Sequence, residues 1–212
     1  IISLSFLLSS EYNYKIKFLG IHVANCNISI TDSLFQNTEV VKLNYKVITK
    51  PFINKFFKVD NFYTIIIDKK YHNTMYYRKK TSQPNLTNFI ETEIIDNKVR
   101  YKDSAIFLKE NDVNIFTLLY LISNKDKKLN KIKNLEREGK YYNLEIFREN
   151  QVYKLLINEI DDNNKGLIEH TDIFLWALFL PNTSNSIKIS KSGLIQKCTF
   201  RRGLLNVSAE IF

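Results

Sequence analysis

The sequence predicts a mainly β protein: a single domain, built as a large curved antiparallel sheet or partly closed β-barrel, with one short helix packed against the concave face. Three observations lead there. Apolar and polar residues alternate along much of the chain, most clearly at Val41, Leu43, Tyr45 and Val47 against Lys42, Asn44 and Lys46, the pattern of a half-buried strand. Such runs recur at the spacing of about 8–12 residues typical of antiparallel sheets. Only residues 112–123 carry a helical period, with Ile115, Leu118, Leu119 and Ile122 on one face and Val113, Phe116 and Leu121 widening it. Asp112 is the expected N-cap. A lone amphipathic helix among strands buries its stripe most simply in the hollow of a bent sheet. A fully apolar strand is the competing reading of these residues.

Taken in order, residues 1–10 are apolar and end in the small pair Ser9 and Ser10, which suggests the remnant of a signal peptide; a first buried strand is the alternative. The domain is expected over residues 11–212. Tyr12 to Phe18 alternates weakly, Gly20 breaks it, and Ala24, Cys26, Ile28 and Ile30 share a face, as in a hairpin or a bulged strand pair. After the Val41 strand, Pro51 is a stop, and residues 52–59 form a helical turn or wide loop. Residues 62–67 read as a strand covered on both faces. Further strands are expected at residues 72–80, 89–95 and 99–103, with turns near Pro84 and Asp96.

Beyond the helix, residues 125–133 read as a solvated connection. Residues 131–136 and 141–147 flank Glu138 and Gly139 as a hairpin, followed by a strand at residues 152–160 and a turn at residues 161–166. Residues 171–180 are apolar on both strand faces: a central strand or a short buried helix. A hairpin of residues 194–202 and 205–211 about Gly203 ends the chain. No repeat or linker divides it.

The 212 residues carry a net charge of +9, which permits an anionic partner without requiring one. The densest basic and aromatic run is residues 69–80. Strand alternation sends Tyr77 and Lys79 to one face and Tyr76, Arg78 and Lys80 to the other, so the charges share no surface and no nucleic-acid partner is expected. They read as solvated strand ends. No uncharged apolar run is long enough to span a membrane as a helix.

Few constellations suggest chemistry. Cys26 and Cys198 are a possible disulfide in an oxidising compartment, or two free buried thiols. Asp161, Asn163, Lys165, Gly166 and Asp172 partly trace a calcium loop, but Lys165 and the short Asp172 fit a plain turn better. His22, His72 and His170 have no ligand-spaced partners, so neither metal nor cofactor is expected. Glu91 and Glu93 read as surface charges. Phe174 and Trp176, with Phe116 and Tyr120 from the helix, are candidates to line a ligand pocket; core filling is the plainer reading.

The opening hairpin from Tyr14 to Ala24, the helix ending in Leu119-Tyr120-Leu121 and the closing strand from Arg202 to Ile211 together resemble an exported bacterial family, domain of unknown function 3108. Tyr14-Lys-Ile-Lys-Phe-Leu-Gly-Ile-His-Val-Ala24 is similar to its first hairpin. The helix ending in Leu119-Tyr120-Leu121 is similar to its central segment, and Arg202-Gly-Leu-Leu-Asn-Val-Ser-Ala-Glu-Ile211 to its last strand, with Leu175-Trp176 where a Trp-bearing strand is expected. The resemblance implies an antiparallel β domain and export, and assigns no activity or catalytic residue. The expectation is therefore a periplasmic, non-enzymatic protein that binds an apolar ligand such as a lipid, or an envelope partner. The alternative is a cell-envelope hydrolase whose carboxylates and histidines converge only in three dimensions.

Overall fold

A computed structural model describes residues 9–95, 98–101, 104–107, 112–160 and 171–212. Three long strands open it: β1 (Ser9–Phe18), β2 (Ile21–Phe35) and β3 (Thr38–Thr49). A single helical turn, α1 (Pro51–Asn54), leads to β4 (Asp60–Asp68), β5 (Thr74–Gln83), β6 (Leu86–Ile95), β7 (Lys98–Tyr101) and β8 (Ser104–Phe107). Helix α2 (Ile115–Ser123) and a 3-10 turn (Lys127–Lys131) precede β9 (Asn134–Arg137), β10 (Lys140–Glu149) and β11 (Val152–Glu159). Helix α3 (Ile173–Leu178) precedes β12 (Ser184–Ile189), β13 (Ile195–Arg202) and β14 (Leu205–Ile211).

Among the described residues these strands form one fourteen-stranded antiparallel sheet, in the order β8-β7-β6-β5-β4-β3-β2-β1-β14-β13-β12-β11-β10-β9. The one non-sequential join is β1 with β14, in register from Tyr14 opposite Ile211 to Phe18 opposite Val207. Two meanders therefore run outward from the paired first and last strands. The outer edges β8 and β9 are not paired with each other, so the sheet curls without closing. The chain entering α2 covers the β9 edge: Glu136 N–H donates to the Val113 carbonyl at 3.0 Å.

The alternation read in β3 is the physical basis of the core. Val41, Leu43, Tyr45 and Val47 are buried while Lys42, Asn44 and Lys46 face outward. In β4, Tyr63, Ile65 and Ile67 fill the concave side, and Thr64 and Ile66 are buried on the other face. Helix α2 lies in the hollow, with Leu118, Leu121 and Ile122 fully buried. Its N-cap is Asn114, whose side chain accepts from Thr117 N at 2.8 Å, not Asp112. Asp112 instead accepts from Asn134 Nδ2 at 3.1 Å, and so ties the approach to α2 onto β9.

Several expectations are corrected. Among the described residues α3 joins α2 in the hollow, so it holds two helices rather than one. Of the two readings of residues 171–180 the helix is the one formed, α3, so Leu175-Trp176 is not on a strand as the family resemblance implies; Asp172 caps its first turn and Pro181 follows its end. Strands β8 and β12 were not anticipated. The connection at residues 125–133 is not wholly solvated: Leu129 and Ile132 are buried under α2. Residues 1–8, the Asp96-Asn97 turn and most of the calcium-like loop lie outside the described residues. Ser9 and Ser10 belong to β1, paired with Thr31 and Ile30.

Candidate functional site

Helices α2 and α3 enter the hollow from opposite ends and leave a space between them. The end of α2 abuts the β12–β13 turn, where Gly193 lies against the Ser123 carbonyl. Helix α3 lies toward the other end: Ile173 N–H donates to Gln83 Oε1 at 3.3 Å, and Asn185 Nδ2 to the Leu178 carbonyl at 3.2 Å. Between them is a partly open cavity of about 210 Å³. Ile16, Val47, Ile157 and Ile187 contribute sheet wall, Phe116 and Leu119 the α2 side, and Phe174 and Leu178 the α3 side.

The wall is almost entirely carbon, and two of its tyrosine hydroxyls are engaged. Tyr14 OH donates to the Ile195 carbonyl at 2.7 Å, and Tyr63 OH to Asp172 Oδ1 at 2.8 Å. Burial pushes the Tyr14 and Tyr45 phenols up, so both stay neutral. Asn185 brings a buried amide to the wall. It is 4% exposed and lines the cavity, and its Oδ1 has no hydrogen-bond partner among the described residues. An unmet acceptor in an apolar wall suits a ligand carrying one donor.

The aromatic candidates separate. Phe116 and Phe174 line the cavity, and the Phe116 ring sits 4.8 Å from that of Tyr45 and 5.1 Å from that of Tyr63. Trp176 is 49% exposed and outside the wall. On a strand Phe174 and Trp176 would share a face, but on α3 two residues turn the side chain by about 200°. Tyr120, one turn beyond Phe116, also lies outside the wall, with its ring edge-on to His72 at 6.0 Å.

Cys26 and Cys198 both line the cavity and both are free thiols. The bridge is not formed. Strands β1 and β14 separate β2 from β13, a path of about 14 Å measured along the sheet. Burial pushes each thiol up to about 12, and for Cys26 the neighbouring Cys198 adds to the effect. Neither is poised as a nucleophile at neutral pH.

The pattern reading missed a buried charge network beside this wall. Lys79, expected on a solvated strand, is fully buried. Its Nζ pairs with Glu138 Oε1 and donates to Thr171 Oγ1 at 3.1 Å and Asp172 Oδ2 at 3.3 Å. Asp172 Oδ1 also accepts from Phe174 N at 3.0 Å and Leu175 N at 3.2 Å, capping α3. Asn61 Nδ2 donates to Tyr63 OH at 3.1 Å, while burial and then the Asp172 charge hold that phenol well above its ordinary range. Each carboxylate oxygen of Asp172 is occupied, so the network reads as the mount of α3. The sequence signal was available: an inward lysine in a β strand requires a buried counter-charge.

The histidines do not converge on these groups. His22 meets Asn25 Oδ1 at 2.7 Å on the surface, and His72 pairs with Asp126. His170 lies outside the described residues. Among the described residues no three His, Cys, Asp or Glu side chains gather as metal ligands, and no helix is long and apolar enough to cross a membrane.

No family model and no curated protein matches the chain. Among solved structures it is similar to a β-barrel-like protein of domain of unknown function DUF1849 from Brucella abortus, at 11% identity and a TM-score of 0.56, covering 97% of this chain and 96% of that one. That likeness is to a different family from the one suggested by the three sequence passages, and what it shows is the shared β-barrel-like fold.

Proposed function

We propose that this domain binds a small apolar molecule, or the end of an acyl chain, carrying one hydrogen-bond donor. The observation that carries the reading is the carbon-walled cavity with the buried, unmet acceptor of Asn185. At about 210 Å³ it exceeds the roughly 150 Å³ that admits benzene in an engineered apolar cavity and falls below the roughly 300 Å³ of drug-sized sites. It suits one ring or a short chain segment, with the remainder passing through the open side. The envelope setting is part of the proposal, supported by the apolar run ahead of β1. So is kinship with family 3108, supported by passages that fall on the β1–β2 turn, α2 and β14.

Titration with 1-aminoanthracene, displaced by medium-chain fatty acids and alcohols, tests the reading. The wild-type protein is expected to bind the dye, and Ala209→Phe, which fills the cavity from β14, is expected to remain folded and lose binding. Dye binding equal in both proteins would overturn it. A tagged full-length protein recovered only from the cytoplasm would overturn the envelope setting.

A further inference from the structure

We propose that the rim formed by the β1–β2, β3–β4 and β13–β14 connections docks this domain end-on onto an anionic lipid bilayer.

The sheet topology brings these three connections to one end of six consecutive strands, β13-β14-β1-β2-β3-β4. Leu19 N–H donates to the Asn206 carbonyl at 2.8 Å, joining the first and third connections. Lys50 N–H donates to the Val23 carbonyl at 2.8 Å, joining the second to β2. Each connection projects large apolar side chains into solvent: Phe18, Leu19 and Ile21 from the first, Phe52, Phe56 and Phe57 from the second, Leu204 and Leu205 from the third. Leu204 is 95% exposed and Phe56 86%, so neither contributes to the core. Apolar side chains concentrated at one end mark an interaction surface.

Charge identifies the partner. Within residues 18–21, 50–60 and 201–205 stand five cations, Lys50, Lys55, Lys58, Arg201 and Arg202, against one acid, Asp60. Apolar tips that enter the interface beneath a collar of Lys and Arg match a bilayer bearing negative headgroups. A twofold contact between two copies would set the same five cations against one another, which disfavours self-association. Helix α3 lies toward this end too, and its Trp176 and Ile173 are exposed. Trp176 is the only tryptophan in the chain and so reports any contact there.

The docking does not depend on the cavity reading. The test uses the whole protein with vesicles of phosphatidylcholine alone or mixed with phosphatidylglycerol, followed by sedimentation and Trp176 emission. Wild type is expected to sediment with the anionic vesicles at low salt, release at high salt and bind the neutral ones weakly. Phe56→Asp with Leu204→Asp, and separately Arg201→Glu with Arg202→Glu, are each expected to lower vesicle affinity by roughly tenfold or more. Both pairs are exposed, so circular dichroism and 1-aminoanthracene binding are expected to match wild type. No vesicle binding at low salt, or equal binding by wild type and both variants, would overturn the proposal. So would a dimer in solution that the tip variant disperses while vesicles bind neither protein.

Discussion

Lys79 on β5 and Glu138 in the β9–β10 turn form an ion pair across the open side of the sheet. Their side chains are 0% and 4% exposed. In sheet order β5 is fourth from one edge and β9 is the opposite edge, so the pair pins the curl while β6 to β8 continue past it. Glu138 holds φ 51° beside Gly139 at φ 91°, a two-residue turn in which both positions take the left-handed region. Glu is an unusual residue there, and the lysine it reaches explains its presence.

Breaking that pair from one side strands a buried charge. Lys79→Met is expected to destabilise the domain by about 3–5 kcal/mol, and Glu138→Gln by less, because the amide still accepts from Lys79. Lys79→Met combined with Glu138→Leu is expected to cost less than the two single changes summed, since they share one interaction. Urea unfolding of Lys79→Met, Glu138→Gln, Glu138→Leu and the double variant measures this.

Asp172 has two separable roles, and two substitutions divide them. Asp172→Asn keeps a capping oxygen for Phe174 N and Leu175 N but removes the charge facing Lys79. Asp172→Ala removes both and is expected to lose about 1 kcal/mol more, the usual value of an N-cap. Because α3 forms one side of the cavity, 1-aminoanthracene affinity is expected to fall further in the alanine variant. Equal unfolding midpoints and equal dye affinities in the two variants would refute the division.

Gly193 stands at φ 98°, and a Cβ there would come within 2.0 Å of the Ser123 carbonyl oxygen at the end of α2. Both the backbone angle and the contact oppose any side chain. Gly193→Ala is expected to cost more than about 2 kcal/mol, whereas the same change at Gly20, which has open space around its Cβ direction, is expected to cost only the strain of its positive φ. Thermal unfolding of the two variants makes the comparison.

The cavity thiols set an alkaline limit. Their ordinary value is about 9, and in the folded protein each is held at about 12. Between those values the unfolded chain releases protons that the folded chain keeps, so this contribution to stability is complete below about pH 9 and declines as pH rises toward about 12. Cys26→Ala with Cys198→Ala is expected to flatten that decline in urea titrations. Iodoacetamide at pH 8 is expected to modify both thiols far more slowly than a free cysteine, because so little thiolate is present.

Local pattern revealed much of the sheet and little of the site. Tyr45 and Lys46 announce opposite faces of β3 because side-chain direction in a strand repeats every two residues, whatever the rest of the chain does. Phe116 could likewise be placed on the buried stripe of α2. Trp176 could not, because residues 171–180 suit either period, and the choice between them decides which neighbour shares its face. Alternation places Lys79 on the same face of β5 as Tyr77, but it does not show the carboxylates that bury it there.

By itself, then, the sequence determined most of the strands, the central helix and the mainly antiparallel β architecture, since these follow from periodicities written within a few residues. How far the sheet curls, the helical rather than extended form of residues 173–178 and the cavity between the helices were decided only by tertiary structure. They depend on meetings such as Lys79 with Glu138 and Tyr63 with Asp172, whose partners lie 59 and 109 residues apart. Periodicity says which way a side chain points; what it meets depends on how the whole sheet bends.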